Sequence, residues 1–202
     1  MNTPVNIEAL EHLSLEERAM LLRVARAAID RGLASRQPPE VEVAAFPPAL
    51  REVAATFVTL KLDGELRGCI GTLEARDPLI LDVALHAYAA AFDDPRFLPV
   101  RRDEFERLDI SVSVLTRPEP LKVSNQAELL EQLRPGRDGL ILDYPGHRAT
   151  FLPAVWAQLP DPRDFLAHLK RKAGLPPGYW SPDLRLYRYR VDSFGAPFAA
   201  AS

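Results

Sequence analysis

The chain has 202 residues, 47% of them hydrophobic and 26% charged, with a formal net charge of −3. That length supports a full core as one domain or two closely packed lobes, and mild acidity argues against a general nucleic-acid or anionic-membrane binder. A single cysteine excludes an internal disulfide, residues 1–8 have neither the basic start nor the apolar stretch of a signal peptide, and no apolar run approaches the roughly 20 residues that span a bilayer, so a cytoplasmic protein is expected.

Ser14-Leu15-Glu16-Glu17 is a capping box, in which serine and Glu17 satisfy each other's free amides. It opens a helix expected to reach Asp30 or Arg31, closed by Gly32 in a left-handed conformation, with Leu15, Ala19, Leu22 and Ile29 on the buried face. Gln37-Pro38-Pro39 and Phe46-Pro47-Pro48 frame an extended linker. Thr56-Phe57-Val58-Thr59-Leu60-Lys61-Leu62 then alternates β-formers up to Asp63-Gly64, the dipeptide of a two-residue type I′ turn, which predicts a hairpin over residues 55–73. Counting back across that turn pairs Leu62 with Glu65, Leu60 with Arg67 and Val58 with Cys69.

Asp77-Pro78 reads as an N-cap with proline at the first helical position. The run from Leu79 to Phe92 is apolar on nearly every side except a stripe of Asp82, His86 and Asp93, which predicts a buried helix ending in the charged turn Asp93-Asp94-Pro95-Arg96-Phe97. A strand over 109–116 turns Ile110, Val112 and Val114 one way and Ser111 and Ser113 the other, toward a cleft. A short helix over 125–133, a second hairpin through Tyr144-Pro145-Gly146-His147, a helix from Asp161-Pro162 to Gly174 and a last strand over 184–191 complete the chain. Hairpins interspersed with helices predict an α+β fold, a mainly antiparallel sheet with flanking helices in a two-lobed compact unit.

The chemistry concentrates in Leu66-Arg67-Gly68-Cys69-Ile70-Gly71. In the hairpin register above, Arg67 and Cys69 are same-face neighbours, roughly 6.5 to 7 Å apart, close enough for a guanidinium to favour a thiolate. Gly68 and Gly71 leave room beside the sulfur, although a bulge at Gly68 would reverse the parity. A free cysteine is also a small hydrophobe that proteins commonly bury, so Cys69 stands between a packing role and a reactive one. A reactive cysteine needs a partner, and His86 and His147 sit on elements that could reach it. His86 on an apolar helix also suits a satisfied core histidine, and His147 in its turn suits solvent.

Asp94 and Arg96 form either a helix-terminating ion pair or an anion anchor beside the hairpin. Cys69 and the four histidines, His12, His86, His147 and His168, never stand at paired-ligand spacing, so no metal site is expected. Phosphate-loop and dinucleotide fingerprints are absent, and no cofactor is expected. Lys170-Arg171-Lys172 reads as a solvated helix end, and Arg185-Leu186-Tyr187-Arg188-Tyr189-Arg190 as an edge strand guarded by arginines.

LRGCIG, together with FVTL at Phe57 to Leu60, DPRF at Asp94 to Phe97, ISVSVL at Ile110 to Leu115, TFLP at Thr150 to Pro153 and KAGLP at Lys172 to Pro176, resembles the AMMECR domain family, and within it the bacterial AmmeMemoRadiSam branch. The resemblance covers nearly the whole chain. It implies one AMMECR-like domain over 1–202, with a larger lobe from both chain ends, a smaller lobe from a central segment, and a cleft bearing the hexapeptide. It also implies two partners, a Memo-like protein and a radical S-adenosylmethionine enzyme. Lys170 departs from the many members that carry a cysteine there, so no paired thiol is expected.

These residues are compatible with two functions from different classes. The first is an enzyme component with Cys69, Arg67 and His86 as catalytic candidates and Gly68, Gly71, Asp94, Arg96, Ser111 and Ser113 around its ligand. The second is a binding module that uses the same cleft for a peptide, nucleic acid or small ligand without chemistry.

Overall fold

The computed structural model describes residues 13–196. Among these, residues 13–116 with 192–196 form one compact unit and Arg117–Val191 a second. The fold is α+β, with two four-stranded sheets and flanking helices.

In the first unit, Ser14 caps α1 (Leu15–Ser35) through the expected capping box, accepting from the Glu17 amide while the Glu17 carboxylate accepts from the Ser14 amide. The helix runs through Gly32 and ends at Arg36, which takes the left-handed cap with φ 57°. Gly32 serves packing instead: a β-carbon there would lie 2.2 Å from the ring of Phe92. The buried face is Leu21, Ala25, Ala28, Ile29 and Gly32, whereas Leu15 is exposed. Contact with a neighbouring helix, which the helix's own apolar pattern does not encode, sets that phase.

The 37–48 linker contains a 3-10 turn at Val43–Ala45 and leads into the four-residue α2 (Pro48–Arg51). Strand β1 (Ala55–Leu62) pairs antiparallel with β2 (Glu65–Gly71) on one side and β3 (Leu108–Leu115) on the other. Helix α3 (Leu79–Phe92) carries no side-chain cap, so Asp77 does not fill the N-cap role. It covers the sheet face bearing Val58, Leu60 and Val112, which share one core with Leu21, Ile29, Val83 and Ala87. The four-residue α4 (Arg102–Phe105) precedes β3, and β8 (Val191–Ala196) completes a sheet ordered β2-β1-β3-β8.

The second unit holds β4 (Glu119–Pro120), α5 (Gln126–Gln132), β5 (Gly139–Tyr144), β6 (His147–Phe151), α6 (Pro162–Lys172) and β7 (Arg185–Tyr189). Asn125, not Ser124, caps α5 by accepting from the Glu128 amide at 3.0 Å. The sheet order is β4-β7-β5-β6, so the arginine-tyrosine strand is flanked on both sides rather than lying at an edge. Leu186 and Tyr189, three apart and so on opposite faces of the strand, are both buried, while Arg188 reaches Glu119 at 3.6 Å.

Lys170 corrects the expectation of a solvated helix end. Its side chain is fully buried, and Nζ donates to Gln126 Oε1 at 2.8 Å and to the Pro177 carbonyl at 3.1 Å. Burial pushes its pKa down. The turn residue His147 likewise is not left to solvent, since its Nδ1 lies 2.8 Å from the Ala173 carbonyl at the end of α6.

Candidate functional site

Pairing of Lys61 with Leu66, then of Leu60 with Gly68, makes Arg67 the extra residue of a β-bulge. A bulge places two residues opposite one and re-aims the rest of its strand. Beyond it Cys69 pairs with Thr59 rather than Val58, and Gly71 with Phe57. Successive side chains on a strand point to opposite faces, so Cys69 lies on the face away from buried Val58 and Leu60. The expected register therefore holds through Leu62–Glu65 and Lys61–Leu66 and is lost from Leu60 on, with the parity reversing at Arg67, one residue before Gly68.

The reversed parity separates Arg67 from the thiol. Arg67 Nε and Nη2 bind Glu104 at 2.9 and 3.0 Å, while Nη1 donates to the Leu98 carbonyl at 2.8 Å and Nη2 to the Pro99 carbonyl at 3.3 Å. Both members of this pair are largely buried, at 14% and 13% side-chain exposure. The Arg67 fork holds the Glu104 carboxyl below its usual range, with burial opposing. Arg67 is a loop fastener.

Arg96 is the guanidinium beside Cys69. Strand β2 is an edge strand, so alternate residues point their main-chain N–H and C=O away from β1. At Cys69 both groups are taken by side chains: its N–H donates to Asp94 Oδ2 at 2.8 Å, and its carbonyl accepts from Arg96 Nη2 at 3.0 Å. Asp94 and Arg96 are joined to each other by a fork, Nε to Oδ1 at 2.9 Å and Nη2 to Oδ2 at 2.7 Å. The helix-terminating ion pair is present, and the pair that closes the loop also grips the hairpin.

The Asp94 carboxylate is 2% exposed, while the Arg96 side chain is 53% exposed. The Arg96 fork, then the amides of Cys69 and Arg96, hold the Asp94 carboxyl well below the usual range against the opposing effect of burial. The Asp94 bond in turn raises Arg96, with a smaller contribution from Cys69.

The thiol itself is half-buried, with Sγ 3.2 Å from Thr59 Oγ1. Thr59 pairs on its other side with Ser111, so thiol and hydroxyls form one cross-strand row of Cys69, Thr59 and Ser111. The adjacent row is Gly71, Phe57 and Ser113, and Ser113 Oγ lies 2.8 Å from Ser193 Oγ. Neither glycine leaves open space beside the sulfur. A β-carbon on Gly68 would lie 2.0 Å from the Ala90 carbonyl of α3, and one on Gly71 would lie 2.4 Å from the ring of Phe57.

His86 stays on the core side. Its Nδ1 lies 3.1 Å from both Asp82 Oδ2 and Thr56 Oγ1, and Thr56 donates to Asp82 at 2.6 Å. Thr56 and Thr59, three apart on β1, face opposite sides of the sheet, so His86 serves the core and not the thiol. His12 lies outside the described residues. Among the described residues, no group of three His, Cys, Asp or Glu side chains is placed to hold a metal ion. No helix among them is long and apolar enough to cross a membrane.

Two residues of this site escape the sequence argument. Thr59 emerges only once the bulge is placed at Arg67. Glu104 gives no local signal, since it meets Arg67 from 37 residues away.

Comparison with known proteins agrees with the motifs. The chain is 40% identical over 186 residues to Protein MJ0810 of Methanocaldococcus jannaschii, covering 90% of this chain and 91% of that one. It is 42% identical over 195 residues to Protein MK0488 of Methanopyrus kandleri, covering 91% and 90%. The crystal structure of the uncharacterized protein PH0010 from Pyrococcus horikoshii superposes with a TM-score of 0.75 at 35% identity, over 91% of this chain and 93% of that one. Residues 22–194 match the AMMECR1 family model, and the chain belongs to the AMMECR1 family.

Proposed function

We propose that Cys69 is the working group of a ligand site on the edge strand, in a protein that acts with a Memo-like protein and a radical S-adenosylmethionine enzyme. One observation carries this: a half-buried thiol has both main-chain polar groups held by the Asp94–Arg96 pair. An edge strand can satisfy those groups with water at little cost, so a buried carboxylate committed to the N–H and a guanidinium committed to the carbonyl fix the thiol's position. Arg96 supplies positive charge beside the sulfur, and Thr59 Oγ1 a hydroxyl able to donate to it. Ser111 extends the polar row along which a ligand lies.

A non-catalytic binding module is the second reading. It is favoured by the placement of His86 on the far sheet face, which leaves the thiol without a histidine base from α3.

Alkylation by iodoacetamide at fixed pH distinguishes them. The thiol reading expects Cys69 to react faster in the native chain than in urea, and Arg96→Ala to slow it by roughly an order of magnitude. Thr59→Val, which spares the Asp94–Arg96 fork, slows it less. A native rate no higher than the denatured one would leave the binding module standing.

A further inference from the structure

Strand β1 turns Phe57 to the same sheet face as Cys69, away from the core that takes Val58 and Leu60. Phe57 lies outside that core and is half-buried. In the register it faces Gly71, two residues along β2 from the thiol. A β-carbon on Gly71 would lie 2.3 Å from the Thr56 carbonyl, 2.4 Å from Phe57 Cγ and 2.5 Å from Phe57 Cδ1. The ring therefore occupies the place of a Gly71 side chain and leans toward the strand that bears Cys69. One repeat of two strand residues, roughly 7 Å, separates the row of the ring from the row of the thiol.

The face is graded along β1. Ala55 and Leu115 pair beyond Phe57 and are buried at 4% and 5%, although neither belongs to the core beneath the sheet. Next comes the ring between Gly71 and Ser113, and then the row of Cys69, Thr59 and Ser111. Past the thiol, Lys61 stands between Leu66 and Asp109, one charge of each sign, so nothing there selects a ligand by net charge. Buried apolar surface thus lies on one side of the sulfur only. A ring over a cross-strand glycine also shields the sheet. That role predicts an effect on stability and none on what the thiol accepts.

We propose that Phe57 is the specificity-determining residue of the Cys69 site, a platform for a flat aromatic or heteroaromatic group of the ligand, whose polar centre then reaches the thiol row. Aromatic pairs gain from offset or edge-on geometry beyond the area they bury, a gain that a saturated ring of similar size does not share. The inference rests on the thiol reading for the place of the ligand and adds its chemical class.

Three alkylating reagents test it on the full chain: iodoacetamide, iodoacetanilide and N-cyclohexyl-iodoacetamide, the last two similar in bulk and differing in whether the ring is flat. Cys69 is the chain's one cysteine, so each rate reports that site alone. The quantity read is the aryl-to-cyclohexyl rate ratio in the native chain divided by the same ratio in urea, in which activation of the thiol and the reagents' own reactivities cancel. Expected is a value of roughly three to ten in the wild type and in Phe57→Tyr, falling to about one in Phe57→Leu. Phe57→Ile, a stronger strand former, replaces Phe57→Leu if that variant does not fold. A wild-type value near one, or a raised value that survives loss of the ring in a folded variant, would overturn the proposal. A raised value that needs the ring, found together with an iodoacetamide rate no higher in the native chain than in urea, would support the platform and overturn the thiol reading alone.

Discussion

The Asp94 carboxylate accepts the main-chain N–H of Cys69 at 2.8 Å, so a side chain takes the place of a neighbouring strand at the sheet edge. With the Arg96 bond to the Cys69 carbonyl, the turn after α3 imitates one residue of β-ladder pairing. The imitation ends the sheet at β2 while leaving the thiol on the open face.

Asp94→Asn keeps the shape and removes the charge from that arrangement. An amide cannot accept from Cys69, from the Arg96 amide and from both guanidinium nitrogens as a carboxylate does. A stability loss of about 2 kcal/mol is expected by urea titration, with slower alkylation of Cys69. The pH dependence has a definite sign. The folded Asp94 carboxyl is depressed, so its contribution is present above the ordinary carboxylate pKa and is lost as pH falls below it. The acid limb of wild-type stability should be shallower in Asp94→Asn, and identical limbs would show that Asp94 does not couple to folding.

Gly68→Ala tests the approach of β2 to α3. The new β-carbon would stand 2.0 Å from a main-chain carbonyl, that of Ala90, which cannot rotate away as a side chain can. Strand and helix must part, at an expected 1–3 kcal/mol or slightly more, roughly the range for overpacking. Gly178→Ala, with nothing within 4 Å, is the matched control and should be near neutral. Equal midpoints for the two variants would mean that the strand and helix sit farther apart than described.

Tyr189 governs the alkaline limb. Its ring is 2% exposed and fills the space above Gly139, with the hydroxyl 3.0 Å from Thr150 Oγ1 and donating to the Phe151 carbonyl at 3.1 Å. Burial pushes the phenol up to about 12 from its ordinary 10.0. A raised folded value favours the neutral form, so the stabilisation is complete below pH 10.0 and is lost as pH rises through about 12. Tyr189→Phe should flatten stability against pH in that window and cost roughly 1 kcal/mol at neutral pH. Ultraviolet titration should lose its latest-ionising tyrosine in the variant, and an unchanged last phase would refute the assignment.

Local chemistry in the sequence determined much of this protein. Ser14 and Glu17 are three residues apart, Asp63-Gly64 is a self-contained turn signal, and Asp161-Pro162 caps α6 within one helical turn, so each acts wherever its segment folds. The α+β class and the motifs of the AMMECR1 family were legible for the same reason. What tertiary structure alone decided lies where distant segments compete for one group. Gly32 met Phe92 before it could serve as a cap, and Lys170 was drawn inside by Gln126 and Pro177. At the site, one extra residue at Arg67 reversed the face of everything after it. No pattern of period two carries that information, because a bulge is fixed by what holds the extra residue. Here that is Glu104 with the carbonyls of Leu98 and Pro99, and their grip on Arg67 leaves Arg96 as the cation beside Cys69.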